Sequence, residues 1–263
     1  MIYENIELDV SREGVVVVML NRPQKRNAFN AVVIEELTDA FETISKNPEA
    51  RLVLIRGAGP VFSAGADLEW MRAAADYTSH ENEKDAYAMA EMLRKLYELP
   101  QVTIALVHGA AMAGACGLAA AADICIARKD TIFGFSEVKL GIIPATISPY
   151  ILNAIGPRWA RALFVTAERF DAAFAEKIGL VQFLAADETE MEKLVEHMAD
   201  LTFAASPAAI ADAKDLVEEV YGQTIDSSLS HLTAKRLAHR RATPQGKEGL
   251  AAFLEKRKPD WQR

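Results

Sequence analysis

Short apolar runs and helical periodicities take turns along this chain. Residues 15–20, 51–56 and 102–107 are apolar runs bounded by turn signals, and they read as buried strands. Between the first two, Val33, Leu37, Phe41 and Ile44 recur at helical spacing, predicting a helix from an Asn30 cap to about Ser45. Residues 4–10 predict a hairpin partner for the first run across 12–14. Residues 123–127, 131–135 and 180–184 predict further short strands. A helix is expected over 85–98 behind a mobile surface loop at 77–85, and others over 150–167 and 170–178. Pro157 suits a first helical turn, and Pro144 and Pro149 bracket a segment that cannot form a long helix. Helices are then predicted over about 188–203, 207–221, 226–241 and 244–257, so the C-terminal quarter is helical. Strands alternating with helices give an α/β class with a mostly parallel sheet.

Two stretches are short of bulky side chains. Residues 108–118, HGAAMAGACGL, follow a strand, turn at Gly109 and continue as a small-residue helix over 110–122. Amides at a helix start have no internal partner, and small residues let another group approach them. Gly114 is therefore placed to point its N–H at an oxygen that gains negative charge. The alternative is that the small residues serve only tight packing on the sheet. Residues 57–68, GAGPVFSAGADL, can likewise present amides to a ligand or form an ordinary turn. Glu137 is a lone carboxylate in the apolar, turn-rich stretch 135–150. Burial raises the pKa of such a group and suits it to general acid or base work near neutral pH. The plainer reading has Glu137 satisfied by a backbone N–H or by Lys139.

Composition narrows the field. The chain has 263 residues, 51% of them hydrophobic, enough for a sizeable core. A net charge of -8 argues against nucleic acid or an anionic membrane as partner. No run is apolar enough for a membrane span, and residues 1–14 carry no leader pattern. Cys116 and Cys125 lie in apolar surroundings and read as reduced core residues, which together point to the cytoplasm. The five histidines are scattered, so no metal site is expected. Neither glycine-rich loop spells a dinucleotide or P-loop motif, and no serine elbow is present.

Seven pieces, in order, resemble the crotonase (enoyl-CoA hydratase/isomerase) superfamily over essentially the whole chain. They are LNRPQKRNAFN at 20–30, FSAGADL at 62–68, HGAAMAGACGL at 108–118, AADICIA at 121–127, FSEVKLGIIPA at 135–145, TAERFDAAFAEKIGLV at 166–181 and GLAAFLEKRKPDW at 249–261. The resemblance implies a spiral of ββα units over 1–200, and a helical trimerisation region over 201–263. It implies homotrimers or hexamers, an acyl-CoA thioester substrate and no separate cofactor. It places the thioester oxygen on the backbone N–H groups of Ala64 and Gly114, with Glu137 as the catalytic carboxylate. Ala64, Gly65, Ala66, Asp67 and Leu68 would line the CoA path. Gln24, Lys25 and Arg26 would flank the nucleotide, and Phe253 and Lys256 would reach a neighbouring subunit's CoA.

Well-known hydratases of this family carry a second glutamate three residues after the oxyanion glycine. Gly117 stands there instead, and Ala145-Thr146-Ile147-Ser148-Pro149 follows Pro144 in place of a Gly-Gly pair. This pattern is similar to a bacterial methylglutaconyl-CoA or carboxygeranoyl-CoA hydratase subgroup. The first reading is thus a hydratase of a 2-enoyl-CoA, branched or carboxylated substrates included, with any second acid from His80, Glu81, Glu83 or Asp85. Gly117 would then leave room for a bulkier substrate. A double-bond isomerase needs only one carboxylate and is the second reading. A non-catalytic acyl-CoA scaffold is the third.

Overall fold

Strand alternation builds the centre of the molecule, which a computed structural model describes over residues 3–10 and 12–262. Strands β1 (Ile6–Asp9) and β2 (Val15–Leu20) form the expected antiparallel pair, with Ile6 opposite Leu20. The sheet continues in parallel through β3 (Leu52–Gly57), β4 (Val102–Val107), β6 (Ile124–Arg128) and β9 (Phe183–Ala185). Successive side chains point to opposite faces. Val53 and Ile55 therefore join the larger core with Leu37 and Phe41 of α1 (Ala31–Ser45). Leu52 and Leu54 join a second core with Met191 and Val195 of α7 (Glu188–Ala204). Burial on both faces explains why these strands read as continuous apolar runs. Asn30 caps α1, accepting from the Val33 N–H at 2.9 Å.

A second sheet holds β5 (Ala110–Met112), β7 (Ile132–Gly134) and β8 (Arg169–Asp171). It corrects two expectations. Residues 110–112 form a strand, and the small-residue helix α4 is confined to Gly114–Ala121. Phe170 belongs to β8, where its ring stacks on Phe133 at 5.8 Å, so α6 (Ala172–Ile178) begins only after the Asp171 cap. Cross-strand aromatic packing overrides the helical pattern there. Likewise β9 starts at Phe183, because Leu180 and Val181 turn into the large core.

The expected loop at 77–85 is mostly helix. After α2 (Leu68–Ala74), α3 runs over Ser79–Tyr97, started by a reciprocal capping box between Thr78 and Glu81. It buries Met89, Met92, Leu93 and Leu96. Helix α5 (Ser148–Thr166) breaks at Gly156 (φ 72°), and Pro157 opens its second half. The chain ends in α8 (Pro207–Val220), α9 (Ser227–Ala242) and α10 (Pro244–Glu255). Helices α8 and α9 bury none of their described residues, and α10 buries only Ala252. Tyr221, Ile225, Phe253 and Leu254 stand exposed on or beside them. Cys116 and Cys125 are free and fully buried, and burial pushes the Cys116 thiol up to about 12. Among the described residues, no helix is long and apolar enough to cross a membrane.

Candidate active site

Three chain segments run side by side in register. Ser63 pairs in parallel with Ala111, and Ala111 pairs in parallel with Phe133. Parallel strands end on the same side, so residues a few positions beyond that row leave together. Ala66, Gly114 and Glu137 lie three, three and four residues past it. Two small-residue loops distant in sequence and the lone carboxylate thus emerge at one end of a short ladder.

The amides of the first loop are engaged with one exception. Phe62 N–H donates to the His108 carbonyl, Ser63 to that of Ala110, Ala64 to that of Arg26 and Asp67 to that of Phe29, at 2.8–3.1 Å. Gly65 N–H reaches the Ser63 hydroxyl at 3.3 Å. Ala66 alone in 62–67 keeps an N–H with no partner among the described residues. This corrects the expected donor. The Ala64 amide is held at 2.9 Å by Arg26 and is not available to a ligand. The parallel bridge between Phe29 and Ala66 sets this pattern: it takes up the Gly65 carbonyl and the Asp67 N–H and leaves the Ala66 N–H free, a pairing that no local sequence pattern announces.

The Gly114 amide is unengaged as well. Gly114 is the first residue of α4, and its N–H has no partner among the described residues. Ala113, just before it, adopts φ 50° and ψ -118°, a region that L-residues rarely occupy. Its N–H is anchored on the Gly134 carbonyl at 2.8 Å, so the strained residue sets the start of the helix against β7. Space is tight on both sides. A Cβ on Gly114 would lie 2.8 Å from Met89 Cε, and one on Gly65 would lie 3.0 Å from the Met112 carbonyl oxygen.

Glu137 opens a single 3-10 turn, Glu137–Leu140, directly beyond β7. The residue is 8% exposed. Burial raises its carboxyl pKa, partly offset by its own backbone N–H. Lys139 does not satisfy it, since that ammonium donates to the Ala167 carbonyl at 2.8 Å. One Glu137 carboxylate oxygen, Oε2, has no partner among the described residues. An unpaired buried carboxylate oxygen is costly, and it suits a group that exchanges a proton with a ligand.

The position of the missing glutamate is closed. A Cβ on Gly117 would fall 2.2 Å from Ile147 Cγ2 and 2.8 Å from Ile147 Cβ. Ile147 is itself buried. Gly117 therefore does not enlarge the acyl site, contrary to the sequence expectation, because Ile147 fills the space. Of the candidate second acids, His80 and Glu83 are exposed and Glu81 is held in the Thr78 cap. Asp85 accepts a hydrogen bond from Trp70 at 3.1 Å, and burial raises its pKa.

The expected CoA contacts divide. Gln24, Lys25 and Arg26 are exposed on the loop before α1, with Lys25 paired to Glu69 at 2.9 Å. Leu68, Phe253 and Lys256 are also exposed. Asp67 departs from expectation: it is 4% exposed, and its carboxylate is engaged by Arg22 and by the Glu69 N–H. Sequence reasoning missed Arg22 and Ile147, which act through contacts far apart in the chain.

Comparison with known proteins fits this geometry. The family model for enoyl-CoA hydratase/isomerase matches residues 11–263. A Mycobacterium bovis protein named as a probable enoyl-CoA hydratase is 36% identical, over 99% of each chain. A crystal structure of an enoyl-CoA hydratase from Shewanella pealeana superposes with a TM-score of 0.94 at 38% identity, covering 98% of this chain and 96% of that one. Pseudomonas aeruginosa AtuE superposes with a TM-score of 0.93 at 34% identity, covering 99% of this chain and 100% of that one. With its sheets, its small-residue loops and its C-terminal helices accounted for in this way, the chain belongs to the enoyl-CoA hydratase/isomerase family and has the crotonase fold.

Proposed function

We propose that this protein adds water to a 2-enoyl-CoA thioester, or removes it, with Glu137 as its one catalytic carboxylate. The observation that carries this reading is the buried, unpartnered oxygen of Glu137 at the same end of the ladder as two unengaged amides, those of Ala66 and Gly114. The thioester oxygen lies between those amides. Glu137 takes a proton from water as the hydroxyl oxygen bonds to the β-carbon. The electron pair of the double bond moves toward the thioester oxygen, and the two N–H groups stabilise the enolate. Glu137 then gives the same proton to the α-carbon and returns to its starting state. Fixed donors of this kind are worth about 10²–10³ in rate each.

The hydratase names of the relatives support hydration. Ile147 in place of a second acid favours one other reading, a double-bond isomerase, in which a single carboxylate moves one proton. The exposed basic residues Lys25, Arg26 and Lys256 suit the CoA phosphates. The exposed apolar side chains on and beside α8–α10 suit a homotrimer, alone or paired into a hexamer. A branched or carboxylated acyl group is supported by the resemblance of the Gly117 and 144–150 pattern to the methylglutaconyl-CoA or carboxygeranoyl-CoA hydratase subgroup, and not by added space at Gly117.

The test is turnover of crotonyl-CoA, 3-methylglutaconyl-CoA and a 3-enoyl-CoA, followed by enoyl absorbance and product mass. Loss of conjugation with a gain of water mass is expected. Conjugation appearing from the 3-enoyl-CoA, with no hydration, would establish the isomerase instead. Glu137→Gln should abolish turnover, and Ala66→Pro, which deletes the free N–H, should cost about 10²–10³ in kcat. Full activity in Glu137→Gln refutes the assignment.

A further inference from the structure

The free amide of Ala66 is useful only if its direction is fixed, and the residue that fixes it lies 44 positions away. Asp67 follows Ala66, and its N–H donates to the Phe29 carbonyl at 2.8 Å. Its carboxylate accepts the Glu69 N–H at 2.9 Å on one oxygen and Arg22 Nη2 at 3.0 Å on the other. The other arm of the Arg22 guanidinium, Nη1, donates to the Ala28 carbonyl at 2.7 Å. Phe29, the next residue, accepts from Asp67 and donates to the Gly65 carbonyl at 2.7 Å. One guanidinium thus grips both sides of the bracket around Ala66: residues 28–29 through a carbonyl, and Asp67 through its carboxylate. The pair is largely withdrawn from solvent, with the Arg22 and Asp67 side chains 12% and 4% exposed. Charge-assisted bonds in such a place are strong and poorly screened.

We propose that Arg22 is a positioning residue for the reaction, holding the Ala66 amide in line through Asp67, and that the Asp67 carboxylate serves this loop and not the ligand. The inference rests on the oxyanion reading given under Proposed function. A planar guanidinium is needed because two acceptors must be met at fixed angles, which a lysine ammonium meets less well.

The test compares wild type, Arg22→Gln, Arg22→Lys and Asp67→Asn. Each is saturated with cinnamoyl-CoA, whose conjugated band moves to the red when its thioester oxygen is hydrogen-bonded. Circular dichroism and gel filtration confirm folding. The expected result is a smaller red shift in Arg22→Gln and Asp67→Asn. Their kcat should fall about 10²-fold, the cost of a misplacement near 1 Å. Their KM should move by no more than about threefold, since the lost interaction belongs to the transition state. Arg22→Lys should recover part of both. If Arg22→Gln does not fold, Asp67→Asn, which keeps an oxygen for the Glu69 N–H, carries the test. A wild-type shift and kcat in both variants, or a change confined to KM, overturns the proposal. A wild-type enzyme that produces no red shift instead overturns the oxyanion reading, and the positioning role with it.

Discussion

Gly117→Ala is the smallest change that tests how the site is closed. Gly117 lies inside α4, where alanine ordinarily favours the helix by about 1 kcal/mol over glycine. Here the added methyl would sit 2.2 Å from Ile147 Cγ2, against a normal carbon contact of about 3.5–4.0 Å. Ile147 is buried and cannot swing away freely. Overpacking costs about 1–3 kcal/mol, and this overlap belongs at the upper end. Subtracting the gain in propensity leaves a net loss of about 2 kcal/mol. At ~2–4 °C per kcal/mol for a chain of this size, Tm should fall by ~4–8 °C. The assay is thermal unfolding followed by circular dichroism, run as a double-mutant cycle with Ile147→Ala. Ile147→Ala alone should cost about 2–5 kcal/mol for its cavity. The double variant should lose less than the sum, because the new methyl enters space that the isoleucine vacates. A higher Tm in Gly117→Ala, or strict additivity in the cycle, would refute the claim that Ile147 occupies the place of a second carboxylate.

Two further outcomes are expected. Glu137→Gln should raise Tm near neutral pH. The folded pKa of Glu137 lies above its unfolded value, so its contribution to stability is fully present below the unfolded pKa and is lost as pH rises through the folded one. The gain from Glu137→Gln should therefore shrink as the melts are moved to acid, and an equal gain at every pH would contradict the buried, unpaired carboxylate. Ala113→Gly should relieve backbone strain of about 1–3 kcal/mol, offset by roughly 0.5–1 kcal/mol of added chain entropy. Its Tm should hold or rise while kcat falls through a looser Gly114 amide; unchanged kcat would show that the strain has no catalytic use.

Local chemistry made much of this protein legible from its residues. Continuous apolar runs gave the central strands, because the parallel sheet is covered on both faces. Helical spacing and the Asn30 cap gave α1, and a carboxylate among apolar neighbours marked Glu137. The misreadings came where a distant partner overrode a local preference. Residues 110–112 pair with β7, and Phe170 is drawn onto Phe133. The expected loop at 77–85 is a different case, since the capping box between Thr78 and Glu81 that makes it helical is itself local.

The sequence by itself determined that two small-residue loops and one carboxylate exist, and that together they resemble a thioester site. Only the tertiary structure decided which amide is free, since that depends on Arg26 and Phe29 engaging the amides of Ala64 and Asp67. It also decided that Ile147 fills the space at Gly117 and that Arg22 claims Asp67. Periodicity records which face a residue presents, because that is set by neighbours a few positions away. Occupancy of an N–H or of a cavity is set by groups brought together from far along the chain, and no local pattern carries it.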